Sequence, residues 1–98
     1  MNSNDVSALI SEELKIERDL INVQGLDVAV CLIAPLKELY FLDNGEQLEL
    51  WTVFKETENG YYIFYDEEED MFGLAIKSDS GLYNIGYYGN FLETLYSM

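Results

Sequence analysis

The chain has no histidine, one cysteine, one proline and only 5 Lys+Arg in 98 residues. Each scarcity removes a class of function. Without histidine there is no imidazole general base, no metal site built on imidazole, and no Ser-His or Cys-His nucleophile. Cys31 alone allows neither a disulfide within the chain nor a zinc site on paired cysteines. The five cations, Lys15, Arg18, Lys37, Lys55 and Lys77, are scattered, so no basic cluster is available for nucleic-acid phosphates or for an anionic membrane surface. Gly81, Gly86 and Gly89 are irregularly spaced and lack both the Gly-Lys-Ser/Thr ending of a phosphate loop and the dinucleotide fingerprint. The longest apolar run, Val28 to Ala34, is too short to span a bilayer, and Met1-Asn2-Ser3-Asn4-Asp5 has no secretory-signal character. A cytoplasmic, reducing compartment is expected.

What is present is acid and apolar surface. Nineteen Asp+Glu give a formal net charge of -14, while 49% hydrophobic and 14% aromatic residues supply a core. That combination argues against disorder and for one α+β domain over residues 1–98. Cys31, inside its apolar run, reads as a small buried hydrophobe, because no positive neighbour would lower its thiol pKa.

Along the chain, Val6, Leu9, Ile10 and Leu14 fall at helical spacing, with Ser3 or Asn4 as cap and an end between Leu14 and Ile21. Glu13 and Glu17 share a flank of this helix that can stay wet, and Gly25 is a plausible stop. The β-branched residues of Val28 to Ala34 favour a strand ending at Pro35; Leu36 to Leu42 suits a short helix or a second extended piece. Asp43-Asn44-Gly45 is a turn signal. From Gln47 to Phe54 the pattern alternates, with Leu48, Leu50, Thr52 and Phe54 on one face and Glu49, Trp51 and Val53 on the other. Asn59-Gly60 is a hairpin signal; Tyr61 to Tyr65, Met71 to Lys77 and Leu82 to Tyr87 read as further strands, the last bent at Gly86. Asn90 caps a short terminal helix with Phe91, Leu92 and Leu95 as its stripe. The expected fold is therefore α+β: a four- or five-stranded antiparallel meander sheet with an N-terminal helix and a short C-terminal helix.

The acidic run Asp66, Glu67, Glu68, Glu69 and Asp70 is the most conspicuous feature. It lacks the alternation of a calcium loop, and consecutive residues of a tight turn splay apart, so it reads as a solvated turn or as part of an acidic face that docks a basic partner. Paired carboxylates alone carry no specificity for glycosidase chemistry. No cofactor, metal or catalytic residue is expected. Tyr61, Tyr62, Phe64, Tyr65, Phe72, Tyr83, Tyr87, Tyr88 and Phe91 form either a sheet core or, rimmed by carboxylates, a protein-binding patch. Trp51, on the strand face of Glu49, is the best single anchor, with half-burial in the sheet as the alternative. The partner-binding set is thus Glu49, Trp51, Tyr61 and the run Asp66 to Asp70.

Trp51-Thr52-Val53-Phe54, Gly60-Tyr61-Tyr62-Ile63, Met71-Phe72-Gly73-Leu74-Ala75 and Tyr87-Tyr88-Gly89-Asn90-Phe91-Leu92-Glu93-Thr94-Leu95 together make about half the chain similar in style to small acidic bacterial immunity proteins of polymorphic toxin systems, the SUKH group. That resemblance implies a cytoplasmic α+β protein that neutralises a toxin by binding it, and carries over no individual residue. The functional expectation is a non-enzymatic binding protein that masks a basic protein, a toxin or a nucleic-acid-binding protein, through an acidic, aromatic-rich surface, with no direct nucleic-acid or membrane binding. The alternative is an assembly module that forms a homodimer through a sheet edge or the aromatic face.

Overall fold

The computed structural model describes residues 1–16, 22–23, 26–27, 31–42, 44–56 and 60–97. Helix α1 (Ser3–Ile16) leads into a two-residue hairpin, β1 (Asn22–Val23) with β2 (Leu26–Asp27). Five longer strands follow: β3 (Leu32–Phe41), β4 (Gln47–Lys55), β5 (Tyr61–Asp66), β6 (Met71–Ser78) and β7 (Gly81–Gly89). Helix α2 (Phe91–Tyr96) ends the fold. Leu36 to Phe41 is extended, which settles the choice left open there. The possible extension of α1 to Ile21, Glu17, the stop at Gly25 and the start of the apolar run at Val28 lie outside the described residues.

The five long strands do follow one another as an antiparallel meander, but the sheet is not open. It closes into a barrel in the order β3-β4-β5-β6-β7. Parity dictates how. In an antiparallel meander of five strands the first and last run the same way, so the closing pair must be parallel. It is: Tyr40 pairs with Leu82 and Phe41 with Tyr83. Following the pairings once round the barrel arrives about ten residues beyond those that β3 meets in β7, the stagger that tilts the strands of a small barrel.

Two expectations about boundaries are corrected. Pro35 does not end its strand; β3 runs through it, because Pro35 sits at a register shift between Leu32 and Leu36, where a missing ladder donor costs little. The cap of α1 is Asn2, not Ser3 or Asn4. Its Oδ1 accepts from Asp5 N–H at 3.0 Å, and the Asp5 carboxylate accepts from Asn2 N–H at 2.9 Å. Ser3 is used elsewhere, its hydroxyl donating to the Pro35 carbonyl at 2.8 Å and tying α1 to β3.

There are two cores. Inside the barrel lie Tyr40, Leu50, Tyr62, Phe64, Ala75 and Leu82, with the Tyr40 and Thr52 hydroxyls hydrogen-bonded to each other. Outside it, Trp51, Val53, Ile63, Tyr65, Phe72 and Leu74 pack under Val6 and Ile10 of α1 and Phe91 and Leu95 of α2; Cys31 is buried here too. The two-face alternation read for β4 breaks at a register shift between Thr52 and Phe54, which carries Phe54 to the outer core.

Helix α2 is held at its N-terminus by two devices. Asn90 is the cap that the sequence signals, and the Glu93 side chain completes a reciprocal pair with it. Glu13 of α1 supplies the other: its carboxylate accepts from Phe91 N–H at 3.1 Å and from Leu92 N–H at 3.0 Å. Glu13 is thus the acceptor for two otherwise orphaned donors rather than a wet flank residue.

Candidate functional site

The acidic run forms the β5–β6 turn, and its five members do different work. Asp66 is buried. One carboxylate oxygen accepts from Glu68 N–H at 3.0 Å and Glu69 N–H at 3.3 Å, and the other accepts from the Tyr87 hydroxyl at 2.8 Å. This is an Asx turn anchored to β7. At the far end the Tyr65 hydroxyl donates to Asp70 Oδ1 at 2.6 Å, and Asp70 takes the left-handed φ of 52° that a short polar side chain tolerates. Glu67, Glu68, Glu69 and Asp70 stand exposed on backbone fixed from both sides.

The tyrosines are suited to that role. Burial, then the hydrogen bond to Asp66 and that carboxylate's charge, push the Tyr87 phenol up to about 12. Tyr65 is raised by burial first and then by its bond to Asp70. Both stay protonated donors across neutral pH. Asp66, with three donors on its two oxygens, is occupied as a structural acceptor.

Beside the turn, Lys37 of β3 gathers several predicted residues. Its Nζ lies 3.6 Å from Glu49 Oε1, 3.5 Å from Glu67 Oε1 and 5.1 Å from the centre of the Trp51 ring. The amino group of Met1 lies 3.8 Å from the other Glu67 oxygen. A cleft of about 410 Å³ is lined here by Lys37, Leu48, Glu49, Asp66, Glu67 and Glu68. Among the described residues, no group of three Asp, Glu or Cys converges as metal ligands. No helix among them is long and apolar enough to cross a membrane.

The predicted partner-binding set therefore divides. Glu49 and Glu67 to Asp70 are exposed at one end of the barrel, with Asp66 buried beneath them. Trp51 is next to them but is no exposed anchor: it is 8% exposed, roofed by Lys37 and part of the outer core. Its face of β4, shared with Val53, is the face on which α1 and α2 pack. Tyr61 is not in this group. It begins β5 whereas Asp66 ends it, which separates them by about 17 Å of strand.

Three residues of the site were not singled out for it from sequence. Lys37 looked like one scattered cation, and it arrives through its pairing with Trp51 across β3 and β4. Tyr65 and Tyr87 were counted with the aromatics, but nothing in the sequence marks which carboxylates their hydroxyls reach; Tyr87 and Asp66 are 21 positions apart. Asp at the head of a turn is a known Asx signal, and it alone was readable. Comparison of the chain with protein-family models, with curated proteins and with solved structures returns no match.

Proposed function

We propose that the chain is a non-enzymatic, cytoplasmic binding protein, an inhibitor of the immunity type, that masks a basic protein partner. The observation that carries this reading is the pinned acidic turn. Glu67, Glu68, Glu69 and Asp70 are exposed on backbone already fixed by Asp66, Tyr65 and Tyr87. A turn whose backbone is held in advance loses little backbone freedom on binding, so more of the electrostatic attraction survives as affinity. The net charge of -14 supplies a long-range field that steers a cationic partner toward the molecule. Lys37 neutralises part of Glu49 and Glu67, which leaves Glu68 and Glu69 as the outermost charges of the turn.

The test is capture from lysate of the source organism at about 0.05 M and 0.5 M salt. Native protein is compared with a variant carrying Glu67→Gln, Glu68→Gln and Glu69→Gln. The expected result is a basic protein retained by the native chain at low salt, and lost both at high salt and with the variant. Retention that ignores salt, or that the variant preserves, would overturn the role of the turn.

A further inference from the structure

The helices α1 and α2 cover only part of the barrel's outer surface, and one stretch of what they leave bare is apolar. Residues paired across strands share a face. The register therefore places Tyr61, Ile76, Tyr83 and Phe41 in one row across β5, β6, β7 and β3. Their sequence neighbours Tyr62, Ala75, Leu82 and Tyr40 fill the barrel, so this row points outward. Phe41 and Tyr83 stack with ring centres 5.1 Å apart. Ile76 is 39% exposed; Leu39, two residues before Phe41, is 56% exposed, and Ile85, two after Tyr83, is 45% exposed. The row lies at the opposite end of β5 and β6 from the acidic turn.

From this we infer that the row is a self-association surface, and that its occupant is a second copy of this chain. Charge distribution argues for it. None of the six residues is charged. Among the described residues nearby, Glu49 stands across from Leu39 with Lys37 3.6 Å from its carboxylate, and Lys55 pairs with Glu38 at 3.7 Å. A cationic partner is drawn to the acidic end; the uncharged row of Tyr61, Ile76, Tyr83 and Phe41, at the other end of β5 and β6, suits an identical row. Area agrees. Six side chains exposed to this degree present on the order of 400 Å² of apolar surface, within the usual size of a functional patch. With apolar atoms making up about 60% of an interface, that corresponds to roughly 650 Å² per copy, or about 1,300 Å² in total. This is the low end of a standard specific interface. The dimer is two-fold, row against row, weak and reversible.

Its salt dependence is opposite to that of partner capture. Bringing together two chains of -14 each is opposed by repulsion, and salt screens repulsion. The experiment is sedimentation equilibrium of the full chain from about 5 to 500 μM, a range that brackets a weak interface, at about 0.05 M and 0.5 M salt. The expected result is a mass rising with concentration from one chain toward two, with tighter association at high salt. Ile76→Glu, which sets like charges against each other at the interface, weakens association about tenfold or more. Leu39→Gln, an exposed and uncharged change, weakens it more mildly, and thermal melting checks that both variants are folded. A single-chain mass at every concentration and salt would overturn the inference, as would association unchanged in folded Ile76→Glu and Leu39→Gln. Association that falls with salt would also overturn it.

Discussion

Gly73 shows how tightly one position is specified. Its backbone torsion is ordinary, so the demand is for space. A Cβ built there would stand 2.4 Å from the Gly86 carbonyl oxygen and 2.4 Å from Phe64 Cζ. The Phe64 ring fills the barrel, tilted against Tyr40 at 5.3 Å and edge-on to Tyr87 at 5.4 Å, and the Gly86 oxygen is backbone. Neither can step aside freely. Gly73→Ala is therefore expected to destabilise the fold by about 2 kcal/mol, as overpacking does. For a domain of this size that lowers the melting temperature by roughly 8–16 °C, readable by circular dichroism. A change under about 2 °C would mean that the strands part without strain. At this scale sequence reading was partial. From sequence, Gly73 reads as a turn, a bulge or a close backbone approach, with nothing to choose among the three or to say what approaches it. Trp51 reads from sequence either as an anchor or as a half-buried sheet residue, because alternation reports which face a residue occupies and not whether a helix later covers that face.

Elements were more legible where their signals are local. The cap of α2 at Asn90, the turn at Gly45 with its φ of 83°, and the bend at Gly86 each need only a few adjacent residues. The Glu13 acceptor for α2 was invisible for the opposite reason: its partners lie 78 and 79 positions away. Its contribution is testable. Glu13→Ala removes acceptors from the first two amides of a six-residue helix that is too short to be stable without its packing and caps. The expected cost is about 1 kcal/mol, the ordinary magnitude of a lost cap. It should be felt locally, as faster hydrogen exchange at the amides of Phe91 and Leu92 and their neighbours. Glu13→Gln, which keeps an acceptor oxygen but no charge, should recover part of the protection. Exchange unchanged in Glu13→Ala would show that Asn90 and packing hold α2 unaided. Pro35 makes the complementary point: a strong local breaker is overridden when a bulge falls on it.

At the scale of the whole molecule, the strand succession was readable and the closure was not. Strand spacing reveals neighbours in sequence, whereas the barrel is sealed by the parallel pairing of Tyr40 and Phe41 with Leu82 and Tyr83, which joins the two ends of the meander. Closure places phenols in settings with distinct consequences, Tyr40 and Tyr65 buried and Tyr87 37% exposed. Tyr40 lies inside the barrel, Tyr65 under the helices, and Tyr87 at the turn over Asp66. All three are raised, by burial first. The sign follows from linkage. A phenol raised in the folded state favours the folded protein while it is protonated, so its contribution is complete below the ordinary value of 10 and is lost as pH climbs through the folded value, about 12 for Tyr87. With no histidine in the chain, stability should vary little between about pH 6 and 8. It should then fall between about pH 10 and 12, where ionising phenols add to an already large negative charge. The measurement pairs phenolate absorbance with near-ultraviolet circular dichroism over that range. Part of the phenolate signal from the eight tyrosines should appear only as tertiary structure is lost. Tyr87→Phe should reduce that late fraction, while being less stable at neutral pH because Asp66 loses a donor. If all the phenols ionise near pH 10 with the dichroism intact, the hydroxyls of Tyr65 and Tyr87 are not holding the turn, and the proposal of a pinned acidic turn that docks a basic partner loses its support.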